Sequence, residues 1–159
     1  MDAPSEEKLA QVHPVLAAKV RAANDALIAS TGNGFRVAQG LRTYAEQEAL
    51  YEQGRSEPGS IVTNAPGGYS NHNFGMAVDC YPFTAGDAGA LDWNGSDPEF
   101  LAMVAALKAQ GLVWGGDWKS ITDKPHFQLA GVPVSPTPAD RKAFAAGGLS
   151  NVWAQYQFS

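Results

Sequence analysis

The chain contains very little cysteine, the residue that forms disulfide bonds and thiolate metal sites. Cys80 is the only cysteine among 159 residues. A single cysteine excludes an internal disulfide framework, and it also excludes a zinc site built from several thiolates. Hydrophobic residues make up 45% of the chain and charged residues 17%. Because this composition is typical of a globular protein of ordinary domain size, we predict one domain over residues 1–159.

Positive charge and long apolar runs are also scarce. Sixteen acidic residues outnumber eleven basic ones, and the net charge is −5. The basic residues form no stripe, which argues against a nucleic-acid partner, and no apolar segment is long enough to suggest a membrane partner. Residues 1–7 are acidic and do not resemble a secretory signal, so we expect synthesis in the cytoplasm. A substrate outside the membrane would then require another factor to release the protein.

Apolar spacing and capping residues predict an α+β domain with a small, mainly antiparallel sheet and helices packed against it. Helices are predicted to begin near Pro14, Thr43, Asp97 and Thr137. Strands are predicted over 35–39, 75–83, 112–114 and 126–129. Residues 55–69 indicate a long loop, of a length that is often functional. The apolar residues of the segment 131–159 indicate that it docks on the rest of the domain.

Two of the three histidines stand where they can join a carboxylate around a metal. His72 precedes the predicted strand that contains Asp79, and His126 begins the last predicted strand. Two neutral imidazoles and one carboxylate supply the three ligands of a catalytic zinc and leave one position for water. Such an ion lowers the pKa of the water toward neutrality. The spacing alone leaves open that these are ordinary polar residues at strand ends.

Strand alternation predicts which neighbours share the face of the candidate ligands. Asp79 shares its face with Ala77 and Tyr81, while Cys80 points away and is expected to be a small buried hydrophobe. Gln128 shares a face with His126, so it either orients that ligand or has only a structural role. Two further alternatives stay open: Asp117 either serves a turn or assists the site, and either Trp114 or Trp118 lines the cleft.

Four separated motifs give the chain a family resemblance. They lie at residues 39–47, 62–65, 70–79 and 114–120, and an acidic residue stands three positions before His126. Together they resemble the VanY-like D-alanyl-D-alanine carboxypeptidase family over about residues 13–130. Within it, the sequence is most similar to phage endolysins with L-alanyl-D-glutamate endopeptidase activity. The resemblance implies the fold of the hedgehog and D-Ala-D-Ala-peptidase domains.

The resemblance also implies roles for individual residues. His72, Asp79 and His126 fall on the ligands of one zinc ion, and Asp123 falls on the catalytic acid. Many carboxypeptidases of the family have Glu at that place and the endolysins have Asp, so Asp123 favours the endolysins. Arg42 falls on a substrate-binding arginine, with a surface ion pair as the alternative. Ser70 falls on the motif serine, whose alternative role is to cap a turn.

The expected function is a zinc-dependent endolysin that cleaves the L-alanyl-D-glutamate bond of peptidoglycan stem peptides. One alternative is a carboxypeptidase that trims terminal D-alanine with the same chemistry. Another is a wall-binding domain that keeps the scaffold without catalysis. We expect a monomer that acts on the wall after release, as a phage enzyme would. A bacterial recycling enzyme of the cytosol would also lack a signal peptide.

Overall fold

A computed structural model describes residues 1–84, 87–91, 94–119 and 122–158. Ser120, the last residue of the fourth motif, lies outside the described residues. The helices are α1 (Ala3–Leu9), α2 (Pro14–Thr31), α3 (Tyr44–Glu52), α4 (Pro98–Ala109) and α5 (Pro138–Trp153). The strands are β1 (Phe35–Gln39), β2 (Ala77–Thr84), β3 (Asp87–Leu91), β4 (Leu112–Trp114) and β5 (His126–Leu129). Short 3₁₀ turns span Asn71–Phe74 and Gly115–Asp117.

The strands form one antiparallel sheet in the order β1-β2-β5-β4, and β3 pairs with β2 outside this path. This arrangement confirms the predicted α+β class with a small antiparallel sheet. β2 lies between β1 and β5, and its Asp79 stands opposite Gln39 on one side and His126 on the other. The order of the strands therefore brings residues from distant parts of the sequence to the middle of the sheet.

The core lies on one face of the sheet, beneath helices α2 and α4. Val78 and Cys80 of β2 are fully buried there, as are Phe127 and Leu129 of β5. Asp79 is only partly covered, on the opposite face. This pattern confirms the alternation predicted for β2 and β5. One face of each strand is buried in the core, and the other face is left for the site.

The C-terminal segment packs against this core. Val152 is fully buried, and Trp153 Nε1 donates a 2.7 Å hydrogen bond to the carbonyl oxygen of Phe74. The backbone of α5 leaves helical geometry at Gly147 and Gly148, where Gly148 has a φ of +70°. Phe74 ends the turn that contains His72, so this hydrogen bond from α5 helps to hold that turn in place.

Some elements differ from the sequence prediction. Helix α1 and strand β3 were not predicted, and α5 is longer than the short helix expected at Thr137. The acidic start of the chain forms α1, whose first turn is capped by Asp2 through Ser5 N. Among the described residues, no helix combines the length and apolarity that a membrane crossing requires.

Candidate metal centre

Local structure places each of the three candidate ligands. His72 lies in the 3₁₀ turn, where Ser70 Oγ accepts a 3.3 Å hydrogen bond from His72 N. Gly75 ends this turn with a φ of +62°, a conformation that favours glycine. Asp79 lies within β2, directly opposite His126 at the start of β5. The turn and the two paired strands thus aim three side chains at one point.

The ligand atoms are spaced as they would be around one small ion. His72 Nε2 lies 3.2 Å from both His126 Nδ1 and Asp79 Oδ1, and the latter two are 3.7 Å apart. Tetrahedral zinc, with ligands about 2.1 Å away, has ligands about 3.4 Å from one another. Among the described residues, these three form the group of His, Cys, Asp or Glu whose ligand atoms, within 4.8 Å, could hold a metal.

Hydrogen bonds behind the imidazoles fix which ring nitrogen faces the centre. His72 Nδ1 donates to the carbonyl oxygen of Gly40 at 2.9 Å, so in the neutral form of the ring Nε2 carries the lone pair. His126 Nε2 lies 3.2 Å from Gln128 Oε1, and the amide of Gln128 is held because its Nε2 donates to Val132 O at 3.1 Å. His126 therefore presents its Nδ1 lone pair, and both rings are oriented as in metal sites.

The unsatisfied atoms at the centre fit a cation. Asp79 Oδ1 is buried and has no hydrogen-bond partner among the described residues. It faces His72 Nε2 and His126 Nδ1, which both carry lone pairs when the two rings are neutral. Three such atoms repel one another at these distances, and a bound cation would relieve that repulsion. The donor set, two nitrogens and one carboxylate oxygen, is one that zinc accepts.

The surroundings of the centre favour the metal-binding forms of Asp79 and His126. Burial alone would raise the pKa of Asp79, but the imidazoles of His72 and His126 and the guanidinium of Arg42 bring it to about 2. Burial lowers the pKa of His126 to about 4. At neutral pH the carboxylate is therefore ionised and the His126 ring is neutral, as coordination requires.

Asp123 stands beside the three ligands. Its Oδ2 lies 3.9 Å from His126 Nδ1, and 44% of its side chain is exposed. Burial and then the charge of Asp79 raise its pKa to about 6. Its backbone N donates to the carbonyl oxygen of Gly115 at 3.1 Å, and a side chain at position 115 would collide with the Asp123 backbone. Gly115 thus permits the close approach that holds Asp123 at the site.

A cleft of about 610 Å³ opens over this group. Trp118 lines it, with its ring centre 4.9 Å from that of His126. Trp114 instead packs against the core and donates from Nε1 to the carbonyl oxygen of Lys124 at 2.6 Å. Of the two tryptophans, Trp118 is therefore the one at the cleft. Residues 62–66 of the long loop also line this cleft.

The remaining predicted site residues have different environments. Arg42 and Ser70 both line the cleft, and Ser70 also caps the turn that contains His72. Arg42 does not form an exposed surface ion pair, since only 12% of its side chain is accessible. Its Nη2 lies 3.6 Å from Asp79 Oδ2.

Asp117 is not brought to the site: its exposed carboxylate pairs with Lys108 Nζ at 2.6 Å on the surface.

Two buried polar residues next to the cleft were missed in the sequence. Gln47 is fully buried and bonds to Arg42, and Asn71 is 1% exposed and donates to Gln128 Oε1 at 3.0 Å. Asn71 stands inside the histidine motif, and Gln47 stands one turn into the capping-box helix. Their positions near these motifs were the signal that the sequence offered. Their hydrogen-bond partners could not be identified from it, because Gln128 lies 57 positions from Asn71 and Ala65 lies 18 positions from Gln47.

Comparisons with known proteins agree with this geometry. A family model described as D-alanyl-D-alanine carboxypeptidase matches residues 63–129. The peptidoglycan L-alanyl-D-glutamate endopeptidase CwlK of Bacillus subtilis (strain 168) is 36% identical over 126 residues, which cover 74% of this chain and 73% of that protein. The L-alanyl-D-glutamate peptidase of Listeria phage A118 is 30% identical over 124 residues, which cover 76% of this chain but 40% of the phage protein.

A solved structure shows the same fold. The crystal structure of Serratia marcescens L-Ala D-Glu endopeptidase ChiX matches with a TM-score of 0.59 and 31% identity, over 82% of this chain and 89% of that one. The match confirms the fold that the four motifs implied. Peptidases of this family depend on a metal, and the three converging ligands fit one. This chain belongs to the D-alanyl-D-alanine carboxypeptidase family and is a metallopeptidase.

Proposed function

We propose that this protein is a zinc-dependent peptidoglycan hydrolase that cleaves the bond between L-alanine and D-glutamate in stem peptides. One observation carries the proposal: three lone-pair atoms converge within 4.8 Å at the floor of a cleft, and a carboxyl group stands beside them. The choice of bond is supported by the names of CwlK, the phage enzyme and ChiX, each of which specifies L-alanyl-D-glutamate cleavage.

His72 Nε2, Asp79 Oδ1 and His126 Nδ1 would hold the zinc. When bound, zinc polarises the scissile carbonyl and lowers the pKa of a water molecule. Gln128 holds the His126 ring in the tautomer that coordinates, because its Oε1 accepts from His126 Nε2. Asn71 in turn donates to the same Oε1, which keeps the Gln128 amide from turning over.

Asp123 acts as the general base and then the general acid. Its carboxylate takes a proton from the attacking water and delivers it to the nitrogen of the departing D-glutamate. The side chain is suited to this exchange because it reaches the ligand cluster while 44% of it stays open to the cleft. Aspartate at this position, where many carboxypeptidases of the family have glutamate, supports the endopeptidase.

Arg42 binds a carboxylate of the substrate. Stem peptides carry such groups on D-glutamate and on diaminopimelate, and a guanidinium can bind one with two parallel hydrogen bonds. The position of Arg42 in the cleft wall, 3.6 Å from Asp79, supports this role. Ser70 shapes the same part of the cleft and fixes the turn that presents His72.

A second candidate is the carboxypeptidase that trims terminal D-alanine, because the matching family model has that description. Purified peptidoglycan digested with the zinc-loaded protein separates the candidates by mass spectrometry. The proposal predicts released peptides that begin with D-glutamate, and L-alanine left on muramic acid. Released D-alanine would show the carboxypeptidase instead, and an uncut wall that retains the protein would show a binding domain.

The partner of the protein is then the peptidoglycan of a bacterial wall. The phage relative supports a protein made in a host cell that reaches the wall after release. We propose that it works as a monomer, because the three ligands and Asp123 all come from one chain.

A further inference from the structure

Gln47 is a fully buried amide at the edge of the cleft. It lies on α3, between Arg42 and the loop residues 62–66 that form one cleft wall. A buried side-chain amide is stable only when its polar atoms are bonded, so its contacts define what it holds. Gln47 holds two cleft elements at once, and this sets it apart from a packing residue.

The contacts of Gln47 fix the direction of its amide. Its Nε2 donates to the carbonyl oxygen of Ala65 at 2.7 Å and lies 3.5 Å from Thr63 Oγ1. A backbone carbonyl can only accept, so the amide nitrogen must face Ala65. The amide oxygen therefore faces Arg42, and it accepts a 2.7 Å hydrogen bond from Nη1 of that residue.

This hydrogen bond limits how the Arg42 guanidinium can turn. Nη1 is committed to Gln47 while Nη2 lies 3.6 Å from Asp79 Oδ2, a distance too long for a good hydrogen bond. Without Gln47, the guanidinium would be free to swing toward Asp79 and form a closer two-bond pair. That swing would take N–H groups away from the cleft.

We propose that Gln47 is a positioning residue that keeps the Arg42 guanidinium directed at a substrate carboxylate. The inference rests on the proposed function and names the feature of the stem peptide that is recognised: the free α-carboxylate of D-glutamate, next to the scissile bond. Arg42 makes the contact and Gln47 sets its geometry. Since guanidinium and carboxylate pair best in one plane, a turned guanidinium binds the substrate less well.

The chain offers a matched control for the effect of the loop. Arg55 holds the same loop from the outer side, where its Nη1 donates to Thr63 O at 3.0 Å and its Nη2 to Asn64 Oδ1 at 2.7 Å. Arg55 is exposed and lies outside the cleft lining. Replacing it loosens the loop without removing the bond that orients Arg42.

The test uses two synthetic stem peptides that differ only at D-glutamate, with a free α-carboxylate in one and an α-carboxamide in the other. The zinc-loaded wild-type protein should prefer the carboxylate peptide. In Gln47→Met, the KM for that peptide should rise about tenfold, the usual effect of losing one hydrogen bond to a charged group. The KM for the carboxamide peptide and both kcat values should stay near wild type, and Arg55→Met should keep the preference.

A second variant keeps the test decisive if Gln47→Met fails to fold. Gln47→Leu also removes the acceptor for Arg42 but has a different apolar shape, so the preference should again be lost with one zinc per chain retained. Unchanged preference in a folded Gln47 variant, or equal loss in Arg55→Met, would overturn the role of Gln47 alone. Zinc-loaded wild-type protein that cuts neither peptide would contradict the proposed function itself.

Discussion

At the residue scale, Asp123 is the side chain whose chemistry is most open to test. In Asp123→Asn the carboxylate that carries the proton is lost, while the shape and the three ligands stay. We expect kcat on a stem peptide to fall by about 10²–10⁴-fold, the usual contribution of a positioned acid or base. Zinc content should remain one ion per chain, and elemental analysis of the same sample measures it.

Asp117→Asn is the matched control, since Asp117 lies in the same segment but pairs with Lys108 on the surface. We expect it to retain wild-type turnover. If Asp123→Asn also turned over at nearly the wild-type rate, Asp123 would have no part in the proton transfer.

Gln128 supports a different prediction, because it acts on the metal through His126. Gln128→Met removes the oxygen that accepts from His126 Nε2 and keeps the bulk of the side chain. We expect zinc affinity to fall by about 10–100-fold, as measured by competition with a chelator of known affinity. Gln155→Met, at an exposed position, should not change it. Equal affinities in the two variants would show that Gln128 does not orient the ligand.

The sequence predicted the residues that carry chemistry better than those that support them. His72, Asp79 and His126 were singled out because their residue types suit zinc and because the family resemblance places all three on its ligands. Gln47 was missed because its role depends on an arginine and a loop that only folding brings together. Supporting polar residues have ordinary identities, so contacts and not patterns reveal them.

At the scale of elements, α3 connects the cleft to the sheet and depends on its first turn. Thr43 Oγ1 accepts from Glu46 N at 3.2 Å, and Glu46 accepts from Thr43 N at 2.8 Å. Thr43→Ala should lower the free energy of unfolding by about 1 kcal/mol, the usual cost of removing such a cap. Urea denaturation measures the change.

Thr43→Ser keeps the hydroxyl and should remain close to wild type in the same experiment. If the serine and alanine variants were equally destabilised, the methyl group of Thr43 and not its cap would be responsible.

Elements with a local signal were predicted and elements without one were not. Capping residues and apolar spacing located α2, α3 and α4, and β1 was predicted at its observed bounds. Helix α1 was missed because Leu9 is the one large apolar residue among its seven, and a single such position cannot define a helical period. A helix this short is stable only through tertiary contacts, and the local sequence does not specify those contacts.

At the scale of the whole molecule, the metal should stabilise the fold, because two strands and a turn meet at it. A ligand that binds only the folded state adds about 2.7 kcal/mol when its concentration is 100 times its Kd. We therefore expect a chelator to lower the urea midpoint of the zinc-loaded protein. His72→Ala should show a much smaller chelator effect, and an equal effect in both proteins would place the metal elsewhere.

The class of the fold followed from the sequence, but the convergence of the site did not. Periodicity identified strands and helices, while the order β1-β2-β5-β4 depends on long-range pairing. That order places Asp79 directly opposite His126, 47 positions later in the chain. Local patterns contain no information on such pairing, and the family resemblance supplied the expectation that these residues meet.

We propose that His72, Asp79 and His126 together hold one zinc ion. Anomalous X-ray diffraction at the zinc edge, on crystals of active protein, tests it most directly. We expect one strong peak within about 2.0–2.2 Å of His72 Nε2, His126 Nδ1 and Asp79 Oδ1. A peak bound by other residues, or fully active crystals with no metal between these three side chains, would contradict it.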